Sequence, residues 1–466
     1  MIVSVLSRSP STRYVAPCVL FSLSLLPLLL GNDSTKQHAA AVLFAFAGVG
    51  ALDCARGGGV LTFFRPIVVL IFYVAISMML GAWGHANEYM LIPRYLADYD
   101  DWKFAHVALT VILSSLTLLY TIDAHYRPER ESIELENNLR IGSATALSVL
   151  ILSPLLFLPL DMSAFGGAVD FGSMARSVFA LFFALLVLRW RPVIRWTAYL
   201  LLIAVFATFS VHEKREAIFL ILPILFVEFV QYPRRLTVGS AMMLGALSVF
   251  LLALILVMSV ARGYGGFDEV DDFFSALPFV LRYINSDIFI AGVLNNIEAN
   301  YLFFHAMNSI EVVIRDPDLI AFGSTLIKPL FMLLPRSIAP WKPDGMIHLY
   351  TTAFDPAYRD RGGSTPASFI SELFWNFSFL WIIAVGIFGL CLIKLQTLLF
   401  EAFRSGRVYL LVFLLYAYMN LLVLMRGSGL DQYLVHQVFA GVFVFLVVFV
   451  SKLLPRRQRR IASNTS

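Results

Sequence analysis

The sequence predicts an all-α protein that threads a membrane many times. The 466 residues are 59% hydrophobic with a mean hydropathy of +0.79. Only 14% are charged, where a soluble chain carries about 25%. Apolar stretches of spanning length recur along the chain. Leu and Phe dominate them without the alternation that strands of a lipid-facing barrel need, which leaves helices.

A helix crosses the hydrocarbon core with about 20 apolar residues. By that measure about twelve spans are expected, at 14–30, 38–53, 66–84, 104–122, 141–160, 176–189, 194–211, 216–231, 238–260, 368–393, 408–425 and 436–454. The first follows Arg8 and Arg13 and has no convincing small-residue cleavage site, so it reads as a retained span. Residues 1–260 then hold spans one to nine, 261–367 form one long outer loop, and 368–466 hold spans ten to twelve with a basic tail.

Lys and Arg set the orientation, because they collect in cytoplasmic loops. With both termini in the cytoplasm, 20 of the 35 basic residues lie on that side, Arg65, Arg195, Arg404 and the tail "PRRQRR" among them. Seven lie in short outer loops. The charged run "SVHEKREAIF" (210–219) is therefore expected outside, with Arg215 opening span eight. The long loop carries "FFSALPFVLRYI" and "YLFFHAMNSIEVVI", apolar at helical spacing. They predict amphipathic helices lying along the membrane surface or folding back onto it. Pro329, Pro335, Pro340 and Pro343 exclude a continuous helix there and point to turns of fixed shape.

Several function classes are excluded. Cys18, Cys54 and Cys391 are far apart, which gives neither a disulfide framework nor a zinc site. The histidines show no metal-ligand spacing. The net charge of +4 is too small for a nucleic-acid partner. "RGYGG" (262–266, with Tyr264) and "RGGSTP" (361–366) do not fit a nucleotide-binding loop; they read as turns or anion nests. What remains is charge at the outer face. Arg215, Arg262, Arg361 and Arg426 lie at or near the outer ends of spans, at the depth of lipid head groups. Their planar forks suit a phosphate or pyrophosphate. Glu298, Glu372 and Asp431 are acids on the same side, and Asp, Glu or His serves as a base toward a sugar hydroxyl.

The span arrangement, "LLPRSIAPWKP", "GGSTPASFISELFWNFSFLWIIAVGIFGL", "LMRGSGLDQYLVHQVF" and "EKREAIFLILPILF" together resemble bacterial oligosaccharide repeat-unit polymerases, the O-antigen polymerases of the Wzy type. The resemblance implies an all-helical GT-C fold in the inner membrane with its active site facing the periplasm. It implies glycosyl transfer from undecaprenyl pyrophosphate to the next lipid-linked repeat, with no cofactor and no metal, and a chain-length regulator and a flippase as partners. Arg215, Arg336 and Arg426 become the catalytic grip on pyrophosphate, and Glu298 or Asp431 the base. Arg262, Tyr264, Arg282, Lys342, Arg361 and Glu372 become substrate contacts. An O-antigen ligase and a flippase of lipid-linked sugars stay open as alternatives. A membrane O-acyltransferase is disfavoured, because no histidine lies deep in a span.

Overall fold

The computed structural model describes residues 15–31, 64–92, 94–126, 141–154, 171–209, 214–232, 273–331, 338–427 and 429–454, with isolated positions at 39, 42–44, 46, 253, 256, 257 and 334. Among these residues helix is the regular structure and no strand occurs. In chain order the helices are α1 (Val15–Leu30), α2 (Pro66–Ala86), α3 (Arg94–Asp100), α4 (Ala105–His125), α5 (Ser143–Leu152), α6 (Phe171–Val187), α7 (Pro192–Phe209) and α8 (Lys214–Gln231). They continue with α9 (Phe273–Ile284), α10 (Phe289–Asn296), α11 (Ala299–Arg315), α12 (Ser324–Ile327), α13 (Met346–Phe354), α14 (Pro356–Asp360), α15 (Phe369–Phe377), α16 (Trp381–Arg404), α17 (Val408–Arg426) and α18 (Leu430–Leu453).

Among the described residues five segments are long and apolar enough to cross a membrane: α2, α4, the run Phe369–Arg404, α17 and α18. Shorter apolar helices lie within α1, α5, α6, α7 and α8. The spans expected at 38–53 and 238–260 fall almost wholly outside the described residues. The span expected at 368–393 is divided. α15 ends at Phe377, Ser378 takes φ +46, and α16 starts afresh at Trp381. α16 alone is about 36 Å long against a hydrocarbon core of about 30 Å, so it needs no help from α15 to cross. Lys394, expected in a loop, lies inside α16. The last span starts at Leu430 rather than 436, which brings Asp431 into its first turn.

The helix ends sort into two faces. At one, Arg65 before α2 pairs with Asp123 near the end of α4 at 3.0 Å. Arg195 at the start of α7 pairs with Glu228 near the end of α8 at 2.6 Å and stacks 4.5 Å from the Tyr232 ring. Tyr409 at the start of α17 bonds both Thr145 of α5 (2.8 Å) and Ser451 of α18 (2.9 Å). The opposite face gathers the ends of α2 and α17, the starts of α4, α15 and α18, and the segment 273–365. We call the two faces the Arg65 end and the Asp431 end.

The long segment packs onto the Asp431 end of the bundle. α11 is buried along most of its length and packs chiefly on α2. Gly81 and Gly84 of α2 make that possible. A Cβ at Gly81 would collide with the Ala299 carbonyl and Phe303, and one at Gly84 with the Asn300 side chain and Leu294. Small residues let two helix backbones approach this closely. α11 also caps α4, because both Glu311 carboxylate oxygens accept backbone N–H groups, from Lys103 and Phe104 at 2.9 Å each. A carboxylate there satisfies orphan donors and meets the positive end of the α4 dipole. α15 is bonded to α11 through Ser371 Oγ to the Ala306 carbonyl (3.0 Å) and Trp375 Nε1 to the Ser309 carbonyl (2.5 Å).

Candidate active site at the Asp431 end

Three stretches far apart in sequence supply one polar cluster. Lys328 follows α12, Glu372 lies in the first turn of α15, and Asp431 lies in the first turn of α18. Their exposures are 6%, 0% and 2%. Ser368 starts α15 by accepting from the Ser371 N–H at 3.1 Å, which turns Glu372 toward α12 and α18. Glu372 Oε1 accepts from the Thr325 hydroxyl at 2.8 Å, and Oε2 accepts from the Leu430 N–H at 2.5 Å. Glu372 thus caps α18 from another helix, as Glu311 caps α4. One turn further along, Asn376 donates to Thr325 Oγ1 at 2.7 Å and to the Glu372 carbonyl at 2.8 Å.

Asp431 Oδ2 accepts from Lys328 Nζ at 2.6 Å, and Oδ1 is buried without a hydrogen-bond partner among the described residues. One ammonium therefore faces two buried carboxyl groups. The donors to the Glu372 carboxylate, the Thr325 hydroxyl and the Leu430 N–H, are both neutral. Gly345 closes the cluster, since a Cβ there would strike Asp431 Oδ2 and stand 2.6 Å from Lys328 Nζ. The turn joining α17 to α18 is equally constrained. Gly427 has φ +110, and a Cβ on it would stand 2.6 Å from the Ala367 carbonyl oxygen. His348 of α13 lies within electrostatic reach of the cluster. Burial lowers its pKa, Arg359 and Lys328 push it the same way, and Asp344 and Asp431 oppose them. Its Nδ1 also has no hydrogen-bond partner among the described residues.

At the rim, Arg426 in the last turn of α17 forms an ion pair with Glu298, which precedes α11 in the left-handed conformation (φ +63). Both side chains are partly exposed. Expected as independent grip and base, the two engage each other. Asp431, the other expected base, is paired through one oxygen only. Glu372, expected to touch substrate, is fully covered with both oxygens occupied. Lys342 is buried and reaches the Leu334 carbonyl at 3.4 Å. Arg361 is exposed and folds back on the Ala357 carbonyl at 3.2 Å, and Arg282 is exposed near the end of α9. Arg215 lies in the first turn of α8, but its side chain, like Arg262, Tyr264 and Arg336, lies outside what is described.

A second network ties α3, α11 and α13 together behind the cluster. Asn308 donates to the Tyr350 hydroxyl at 2.9 Å, which leaves the Tyr350 proton for His305 Nδ1 at 2.9 Å. His305 Nε2–H then donates to the Tyr95 hydroxyl at 3.2 Å. The imidazole is held neutral, because complete burial, with a smaller contribution from His85 of α2, pushes its pKa down to about 3.

Among the described residues no group of three acidic, His or Cys side chains is arranged to hold a metal ion. Sequence reasoning missed Thr325, Lys328 and His348 as parts of the site. The basic residue in "TLIKP" and the histidine in "MIHLY" were visible, but nothing in their spacing points to Asp431, 103 residues beyond Lys328. No family model, no curated protein and no solved structure matches the chain.

Proposed function

We propose that the chain is a glycosyltransferase of a bacterial inner membrane that joins undecaprenyl-pyrophosphate-linked oligosaccharide repeats, a polymerase of the Wzy type. On this reading it has about twelve spans in a GT-C arrangement, its termini lie in the cytoplasm, and the Asp431 end faces the periplasm. One observation carries the reading. Lys328, Glu372 and Asp431, from three stretches far apart in sequence, meet at one end of an apolar bundle, with Arg426 and Glu298 at the rim.

The chemistry that fits is substitution at an anomeric carbon. A hydroxyl oxygen of the incoming repeat forms the new C–O bond as the bond to pyrophosphate breaks, and that electron pair leaves on the phosphate oxygen. Arg426, drawn from Glu298 by the diphosphate, balances the developing charge together with Arg215 and Arg336. One pre-placed donor of this kind is commonly worth about 3 kcal/mol. The hydroxyl proton passes to Asp431 Oδ1, which has an open acceptor position. Glu298, whose carboxylate Arg426 releases on moving to the diphosphate, is the second candidate.

Deleting the gene and resolving the surface glycan on a gel tests the reading. A core bearing a single repeat is expected. A bare core would point instead to a ligase or a flippase, and an unchanged ladder would remove the proposal. Arg215→Ala, Arg336→Ala and Arg426→Ala are each expected to reproduce the deletion with protein still in the membrane. Arg426→Lys is expected to rescue poorly, since a point charge does not replace the fork.

A further inference from the structure

The strap that carries Thr325 and Lys328 into the cluster has a second face. Phe322, Ile327 and Leu330 point the other way, and all are exposed. Phe322 is 85% exposed and sits at φ +46, a backbone conformation that bulky side chains rarely occupy. Phe379, also 85% exposed, follows Ser378, which has φ +46 as well. The two turns are tied by the Ala321 N–H bonding the Trp375 carbonyl at 2.8 Å. Two strained turns thus hold two phenyl rings clear of the protein at the start of a spanning helix. Strain of this kind persists only where the surroundings enforce it.

Phe379 and Leu380 also head a longer stripe. Ile383, Ile387 and Leu390 continue it down the exposed side of α16 at helical spacing. The run that contains α16 has the least of its apolar window covered by protein among the described spanning helices, which suits that stripe to face lipid. Trp341, packed edge-on against Phe331 at 4.9 Å and itself exposed, extends the apolar surface on the strap side. An exposed apolar patch rimmed by aromatic residues and continuous with a lipid-facing stripe is the signature of a membrane-inserted surface.

We propose that Phe322, Ile327, Leu330 and Phe379 are inserted in the acyl region of the leaflet at the Asp431 end, and that this insertion seats Thr325 and Lys328 on Glu372 and Asp431. The buried cluster then lies one strap thickness from lipid. This inference does not rest on the reaction proposed above, and its test needs no turnover.

Single cysteines at 322, 330 and 379, in a chain with Cys18, Cys54 and Cys391 replaced by Ser, are spin-labelled in bilayers of phosphatidylethanolamine and phosphatidylglycerol. Ile387→Cys serves as the lipid reference and Asp360→Cys as the water reference. All three positions replace exposed side chains, so folding does not depend on them. Collision with oxygen and loss of collision with a water-soluble nickel chelate, as at 387, is the expected result. The pattern of 360 would overturn the proposal. Protection from both reagents would overturn it too, because a protein would then cover the patch. The link to the cluster has its own readout. Phe322→Asp with Leu330→Asp is expected to expose Lys328 to an amine-modifying reagent that does not reach it in the parent chain. An unchanged, protected Lys328 would overturn that link.

Discussion

The two ends of the bundle bury charge in different ways. At the Arg65 end two buried pairs stand one cation to one acid, Arg65 with Asp123 and Arg195 with Glu228, and the Arg195 guanidinium also reaches the Leu188 and Trp190 carbonyls at 3.1 Å each. At the Asp431 end one ammonium serves two carboxyl groups, Asp431 and Glu372. A carboxylate oxygen without a hydrogen-bond partner among the described residues occurs at both ends, Asp431 Oδ1 here and Asp123 Oδ1 there, so the ratio of cation to acid is what differs. A matched buried pair holds helices in register and has little capacity to do more. An unmatched one has a proton or a ligand still to accommodate. The difference teaches where to look for chemistry, and it can be broken experimentally.

The largest effect is expected from removing one member of a buried pair at each end. Breaking such a pair leaves an uncompensated charge and costs about 3–5 kcal/mol. Lys328→Met and Arg195→Met are both expected to lower the thermal unfolding midpoint in detergent by comparable amounts. They are expected to part in function. Lys328→Met paired with Asp431→Leu should recover stability while glycan polymerisation stays lost. Arg195→Met paired with Glu228→Leu should recover both. Equal loss of the ladder in both double variants would erase the distinction between the ends.

Much of the bundle was legible because span length is a strong signal. α2, α4 and α17 fall within a few residues of the expected spans. The division at Ser378 was not legible, because Phe369–Trp375 is as apolar as α16 and only the backbone turn separates them. α11 is instructive in another way. Its polar side chains, Asn300, His305, Asn308, Ser309 and Glu311, read as a water-facing stripe but are all buried. They face Tyr89, Tyr95, Tyr350 and the start of α4 instead. A polar stripe says that the face finds polar partners, and it does not say that the partner is water. The site was legible in part for the same reason: Glu372, Asp431 and Arg426 stood out as charges at span ends, whereas Lys328 joins them only through a fold.

An effect spread over several pH units follows from His305 and sharpens the comparison by pH. Its folded pKa is near 3 against 6.5 for the free side chain. The unfolded chain therefore binds the extra proton first, and stability falls as pH drops below about 6.5. His348, also lowered, adds in the same direction. Unfolding midpoints between pH 7 and pH 4 are expected to fall more steeply in the parent chain than in His305→Gln. Identical slopes would mean that the imidazole takes up its proton in the folded state, and the Asn308–Tyr350–His305–Tyr95 bonding order would then be wrong.

The smallest effect is expected at Arg94, the exposed counterpart of the buried pairs. It reaches Asp355 at 3.1 Å and Asp98 at 3.4 Å, and its guanidinium lies 5.3 Å from the Phe354 ring. These contacts clip α3 to the junction of α13 and α14. Arg94 is exposed and its acids are partly so, however, and exposed ion pairs contribute about 0–1 kcal/mol. Asp355 keeps its second task whether or not Arg94 is present, because its Oδ1 caps α14 by accepting from the Tyr358 N–H at 2.9 Å. Arg94→Ala should therefore leave the unfolding midpoint almost unchanged and remove what little salt dependence α3 contributes. A cost near that of Lys328→Met would show that count of contacts rather than burial sets the value of charge at this end of the bundle.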